Sequence, residues 1–421
     1  MSVAITTQDA QYAWDIVKNI CTQVGPGLPA SPQERARAEL IKNELRTHLG
    51  EGNVDIEKFT LAPDALLNTY PGVISMLMAV ILNISAGHIH GITPWIFALT
   101  ALIFSLFMPV SFTLEFLLCR EVFDRFYPMK QSTNVIGKLR KPGVDDVKHL
   151  LILSGHHDSA MENTWIRYTG YGFYVLSATF FIGMITLVVA CLIQLAGVII
   201  GYDAVAHAGT LGWVLLIYPI GPSLIYAAFL TRGKKNGGIV PGAADNLSAS
   251  SVVVAMCRFL VENPDCIPED TEVRFISFGS EEAGCRGSKR YVERHLDELR
   301  RVDTRVMNYE IVAHPEISIL ASDLNGTVKY SPEMVRSVVQ AAQRAGVPHK
   351  VGGGMIGAGC DAVPFTQAGI KSITLLPFKS PQQLFAFYHQ DRDTPEVLTI
   401  PPLLNALKLT LEWIKSGGNA E

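Results

Sequence analysis

Two long apolar blocks interrupt this 421-residue chain, at about 71–118 and 170–230, and no other feature constrains its fold as much. Each is long enough for two membrane spans of about 20 residues. In the first, GVISMLMAVILNISAG is followed by HIHGITPW and then IFALTALIFSLFMPVSFTLEFLL. In the second, GFYVLSATFFIGMITLVVACLIQLAGVII is followed by GYDAVAHAG and then TLGWVLLIYPIGPSLIYAAFL. They read as four transmembrane helices in two hairpins, with the lipid bilayer as an expected partner. Core helices of a large soluble protein would be shorter and polar along one edge. Pro109, Pro219 and Pro222 fall inside the spans, where neighbouring helices can cover the freed backbone groups.

Basic residues set the expected orientation. The hairpin tips, around 86–95 and 201–209, contain no Lys or Arg, whereas the other ends carry Arg120, Arg125, Lys130, Arg167, Arg232, Lys234 and Lys235. All the large polar segments lie on that basic side. In a bacterial inner membrane this places the polar domain in the cytoplasm.

The remaining composition narrows the class. Only 18% of residues are charged and the net charge is -4, which gives nucleic acid no basic surface to bind. Seven cysteines, an odd number with no CxxC pair, do not form a disulfide framework and point to a reducing compartment. The stretch MSVAITTQDAQYAWDIVKN lacks a basic region followed by an apolar core, so no cleaved signal peptide is expected.

With the hairpins at 71–118 and 170–230 set aside, the polar segments are 1–70, 119–169 and 231–421. Residues 8–23 and 32–49 show helical spacing of apolar positions, and Ser31-Pro32 followed by Glu34 resembles a helix start. NVDIEKFTL and STNVIGKLR read as half-buried strands, and HLLILSG as a buried strand of a mostly parallel sheet. The helix SASSVVVAMCRFLVEN and the strands EVRFISFG and RVMNYEIVA follow, then the helix PEMVRSVVQAAQRAG, the strand SITLLP and a helix from about Pro402. This alternation predicts one three-layer α/β domain.

In such sheets, functional groups gather past the carboxyl ends of the strands. The chemistry-bearing motifs fall there repeatedly. SGHHDSA follows the strand HLLIL and offers His156 with Asp158 to orient it; PGAADNLSAS places Asp245 in a glycine-containing turn before a helix. SFGSEEAG sets Glu281 and Glu282 after the strand EVRFISF, NYE ends a strand with Glu310, and FYHQDRDT carries His389 with Asp391 and Asp393 behind it. Two histidines and three carboxylates suit two zinc ions if one carboxylate bridges them. Zinc ions about 3.5–4 Å apart can activate one water and polarise a carbonyl together. Other metals that accept carboxylate-rich sites stay open.

The series GHHDS, GAADNLSAS, FGSEEAGCRGSKRYV, MNYE, GCDAVPF and YHQDRDT resembles the di-zinc exopeptidases that include aminopeptidase Y and glutamate carboxypeptidase. VGPGLPASPQERARAELIKNELRTHLG and STNVIG resemble that family's lead-in, and the two membrane hairpins are the departures. The resemblance implies a mostly parallel sheet of zinc-exopeptidase type, here with four inserted transmembrane α-helices. It also implies two Zn²⁺: one held by His156, Glu310 and Asp245, the other by Glu282, His389 and Asp245, with Asp245 bridging. Glu281 would be the general base, its carboxylate pointing away from that of Glu282 in an extended chain. Tyr388 would donate to the developing oxyanion. Asp158 would orient His156 from outside the ligand set, with Asp393 in a similar supporting place. The family usually has Asp where this chain has Glu310, and the extra methylene re-aims one zinc or the substrate pocket. His157 is structural or lines the substrate.

The function implied is a membrane-embedded zinc exopeptidase, foremost an aminopeptidase acting on peptides. Alternatives are a carboxypeptidase, an amidase on a membrane-delivered substrate, a non-catalytic membrane scaffold, and a glutaminyl-cyclase-like enzyme with one zinc. Oligomeric state and side-chain preference are not written in the motifs.

Overall fold

The computed structural model describes residues 3–66, 69–89, 93–144, 146–201, 238–352 and 359–420. In chain order the first elements are α1 (Thr7–Gln23), α2 (Pro32–Leu49), β1 (Val54–Leu61), α3 (Thr69–His88), α4 (Thr93–Ser111), β2 (Lys130–Arg140) and β3 (His149–His156). Then come α5 (Thr164–Thr169), α6 (Gly172–Ile200), α7 (Ser248–Glu262), β4 (Thr271–Phe278), α8 (Arg286–Arg301), β5 (Asp303–Tyr309) and β6 (Ile317–Ile319). The last are α9 (Pro332–Arg344), β7 (His349–Val351), α10 (Ala362–Gln367), β8 (Lys371–Leu376), α11 (Gln382–Ala386) and α12 (Ile400–Lys415). They form two compact units: Met1–Pro63 with Tyr127–Glu162 and Gly233–Glu421, and Asp64–Phe126 with Asn163–Arg232.

The first unit is a mixed eight-stranded sheet in the order β1-β2-β4-β3-β5-β8-β6-β7. Its centre, β4-β3-β5-β8, is parallel, as continuous apolar runs demand. β1 and β2 are antiparallel, and β6 runs antiparallel to β8. "Mostly parallel" therefore describes the centre, while the edges are mixed. Strand side chains alternate between faces. Leu150, Ile152, Ile276, Phe278 and Val306 pack with Tyr291, Val292 and Leu299 of α8 and Phe365 of α10. On the opposite face Gly155 leaves room for α7, because a β-carbon there would lie 2.6 Å from that of Ala249. The start of α2 follows its sequence: Ser31 Oγ accepts from Glu34 N at 3.0 Å, with Pro32 in the first turn.

Among the described residues, four helices are long and apolar enough to cross a membrane: Pro71–His88, Thr93–Leu117, Gly172–Ile200 and Ala243–Glu262. The last is a different case. It is 89% buried in the α/β unit, against 28–44% for the other three, so packing accounts for its apolar character. The expected fourth span, near 210–230, lies outside the described residues.

The second unit contains the other three helices, and they are apolar all round. On α6, Gly183, Met184, Leu187, Cys191, Gln194 and Gly197 form the inward stripe. Ile182, Ile185, Val189, Leu192 and Ile193 point outward and stay exposed. α4 repeats the pattern, with Ala98, Ala101, Ser105 and Met108 inside and Ile96, Leu99, Ile103 and Leu106 outside. Water would penalise such outer faces, while hydrocarbon would not. Small residues at the contact let helix backbones approach, as in membrane bundles. Pro109 lies within α4, which continues as a wider helical turn over Phe112–Leu117.

Candidate metal centre

Because β3, β4, β5 and β8 are parallel, their carboxyl ends lie along one edge of the sheet. β3 ends on His156, β4 leads through Gly279 and Ser280 to Glu281 and Glu282, and β5 is followed directly by Glu310. Asp245 lies in the turn Ala243–Leu247 before α7, and His389 follows α11. Three groups of possible ligand atoms result, each within 4.8 Å: His156 with Asp245 and Glu310; Asp245 with Glu282 and His389; and His156 with Glu281 and Glu282.

Asp245 lies between the two histidines. Its Oδ1 is 3.6 Å from His156 Nε2 and its Oδ2 is 3.1 Å from His389 Nε2. Each histidine has its own glutamate: Glu310 Oε2 is 3.5 Å from His156 Nε2, and Glu282 Oε1 is 3.3 Å from His389 Nε2. Glu281 Oε2 also lies 3.6 Å from His156 Nε2. The expectation that Glu281 and Glu282 point apart in an extended chain is corrected here. They occupy a turn between β4 and α8, where Gly284 N and Cys285 N donate back to Glu281 O at 2.7 and 2.8 Å, so both carboxylates reach the cluster.

Supporting groups fix these side chains. Asp158 lies 3.3 Å from His156 Nδ1 and accepts from Glu281 N and Glu282 N at 3.0 Å each. Asp393 accepts from Ala244 N at 2.7 Å and Asp245 N at 3.1 Å. Sequence reasoning missed Asn246 and Asn308, whose amides donate to Glu310 at 2.7 and 2.9 Å and aim its longer side chain. Asn246 stands beside Asp245 in the quoted GAADNLSAS motif, and Asn308 opens the NYE triplet. Tyr388 is buried, and its ring stacks on His389 with centroids 4.0 Å apart and planes at 18°. His157 is fully buried with Nδ1 2.9 Å from Ser277 Oγ, and burial pushes its pKa down to about 3.

The donor set fits metal. Asp245, Glu281 and Glu310 are buried and Glu282 is nearly so, and among the described residues only two imidazoles lie against these four carboxylates. Burying like charges together is costly unless cations compensate. Burial, together with Glu310, Asp361 and Glu282, raises the Glu281 carboxyl well above the usual range. A bound cation acts in the opposite sense. Histidine nitrogen with carboxylate oxygen is a donor set suited to zinc.

This α/β architecture is shared with solved zinc aminopeptidases and glutaminyl cyclases. Residues 223–414 match the model of peptidase family M28, and that segment holds Asp245, Glu281, Glu282, Glu310 and His389. The resemblance read from the motifs thus holds for this part of the chain, while His156 lies upstream of it. Aminopeptidase YwaD of Bacillus subtilis (strain 168) is 32% identical over 163 residues, which is 37% of this chain and 33% of that protein. The chain thus matches about a third of the length of this curated relative. The zinc aminopeptidase BSAP from Bacillus subtilis superposes with a TM-score of 0.52 at 17% identity, covering 96% of this chain and 93% of that one. An Acidobacteriales bacterium glutaminyl cyclase gives 0.55 at 11% identity, covering 99% and 97%. These structural likenesses establish the shared fold.

Proposed function

We propose that the chain is a membrane-anchored, zinc-dependent exopeptidase that removes N-terminal residues from peptides. In this reading His156, Glu310 and Asp245 would hold one zinc ion, and Glu282, His389 and Asp245 would hold a second. The observation that carries it is the place of Asp245, with one oxygen toward each histidine and a separate glutamate beside each. Bound zinc would supply Lewis acidity, lowering the pKa of water and polarising the scissile carbonyl.

The protein's own groups do the rest. Glu281 is held by the turn after β4 and takes the proton of the attacking water, then delivers it to the leaving amine. Cys285 Sγ donates to Glu281 Oε1 at 3.3 Å, which leaves Oε2 facing His156. Tyr388, fixed by its stack on His389, donates to the carbonyl oxygen as charge develops. Asp158 and Asp393 hold the ligands in register so that little reorganisation accompanies the reaction. The apolar helices of the second unit anchor the enzyme, with the catalytic unit on the cytoplasmic side as the basic flanks imply.

The test is amino-acid release from unblocked and N-acetylated peptides by the detergent-purified, zinc-supplemented protein and by Glu281→Ala. Cleavage of unblocked peptides alone, lost in the variant, is expected. Cleavage of neither set with zinc bound would replace this reading with an amidase acting on a membrane-delivered substrate.

A further inference from the structure

Two charged side chains one turn apart on α2, Glu34 and Arg37, are completely buried. Among the described residues, the Arg37 guanidinium hydrogen-bonds main-chain carbonyls and no carboxylate. Nε donates to Gly25 O at 2.9 Å, Nη1 to His157 O at 3.0 Å and Nη2 to Pro241 O at 2.6 Å. Space is kept for it by glycine: a β-carbon at Gly27 would lie 3.0 Å from Arg37 Cδ and Nε. Gly242, after Pro241, turns with φ +69°, a conformation that favours glycine. Glu34 Oε1 accepts from Ser280 Oγ at 2.7 Å, and Oε2 accepts from Ser132 Oγ and Ala30 N at 2.8 Å each.

The partners follow the metal ligands. His157 is next to His156, Pro241 opens the turn that leads to Asp245, and Ser280 precedes Glu281 and Glu282. A second tie runs the same way: Gly27 N donates to Ser159 Oγ at 3.0 Å, and Ser159 N to Gly27 O at 2.8 Å. Burying an arginine without a paired carboxylate is expensive, and a leucine would pack here at less cost if stability were the only requirement. Its five donors in a rigid fork can instead tie several main-chain segments at once.

We infer that Arg37 and Glu34 are positioning residues through which α2 clamps three of the five segments that would bear the zinc ligands, those of His156, Asp245 and Glu282. This rests on the proposed zinc site, and it places part of the site's geometry outside the segment that matches the M28 model.

The experiment measures zinc affinity by chelator competition, and the visible spectrum after cobalt substitution, in the full-length detergent-purified protein. Arg37→Met and Ser280→Ala are compared with Arg274→Met, which removes another buried guanidinium, one bonded to Glu272 and Glu298. Arg37→Met and Ser280→Ala are expected to weaken zinc by about 10-fold, the low end of the range for groups bonded directly to a ligand because these act one residue further out, and to alter the cobalt bands. Arg274→Met is expected to lower thermal stability alone. Folded Arg37→Met and Ser280→Ala with wild-type zinc affinity and cobalt bands would overturn the inference, as would equal weakening by Arg274→Met. If Arg37→Met does not fold, Ser280→Ala decides alone, because it removes one hydroxyl and no charge. A wild-type protein that binds no zinc would sink the zinc reading itself and this inference with it.

Discussion

Asp158 Oδ1 lies 3.3 Å from His156 Nδ1 while the same carboxylate caps the amides of Glu281 and Glu282. One buried side chain thus sets the imidazole's orientation and the turn that carries the glutamate pair. Asp158→Asn keeps the volume but loses the charge that favours Nδ1–H and a lone pair on Nε2. Zinc affinity is expected to fall about 10–100-fold. Chelator competition reads it, and unchanged affinity would mean that the ring is oriented by packing alone.

Glu281 and Glu282 reach the same cluster, so their roles must be separated by experiment. As the proposed base, Glu281→Gln is expected to lower kcat by about 10²–10⁴-fold. Zinc content should stay at the wild-type level. As the proposed ligand, Glu282→Gln is expected to lose zinc. If Glu281→Gln loses zinc instead, the assignment of the pair is reversed.

Removing the metal should expose the repulsion that the cluster stores. Among the described residues, Asp245, Glu281, Glu282 and Glu310 then have only His156 and His389 to offset them, and protons fill the gap. Chelation is expected to lower the unfolding midpoint, and zinc to restore it with release of protons. At a free zinc concentration 100 times Kd, the site contributes about 2.7 kcal/mol. A midpoint indifferent to zinc, with no protons released, would contradict the donor-set argument.

These predictions rest on residues that differ in how legible they were. His156, Glu310 and the Glu281–Glu282 pair were readable because each follows a run recognisable as a buried strand. The pairing of Glu282 with His389 and of Glu310 with His156 came from family resemblance, since no spacing along the chain encodes it. β6 and β7, three residues each, were missed because so short a run has no period to detect. Arg37 was invisible as well, and Glu34 was legible only as part of a helix start. In PQERARAELIKNELRTHL both look like a solvated helix face, and only the tertiary fold buries them.

A pH dependence away from the metal follows from His295. Its Nε2 faces Glu57 at 2.6 Å and its Nδ1 faces Glu298 at 3.2 Å. Hydrogen bonds to Glu298 and Glu57 raise its pKa from 6.5 to about 9. The folded protein therefore holds this proton more tightly than the unfolded chain does. The resulting stability is fully present below about pH 6.5 and disappears as pH rises through about 9. Thermal unfolding of wild type should weaken over that window, and His295→Asn should be less stable at pH 6 but similar at pH 10. A variant equally destabilised at both values would assign the residue to packing instead.

The outward faces of α4 and α6 make the sharpest claim about environment. Ile185 is exposed on α6, opposite the stripe of Met184, Leu187 and Cys191 that packs inward. If that face meets water, Ile185→Arg is neutral or improves solubility, because no contact is lost. If it meets hydrocarbon, a guanidinium near the middle of the span costs about 2.5–3.5 kcal/mol of insertion free energy. Expression in cells followed by alkaline carbonate extraction separates the two cases. Wild type is expected to stay in the membrane pellet, and Ile185→Arg to appear partly in the soluble or aggregated fraction. The inward-facing Leu187→Ala serves as the control, since it loosens helix packing without placing a charge in lipid and should remain in the pellet. Equal retention of wild type and Ile185→Arg would mean that this face is covered by protein or water rather than lipid.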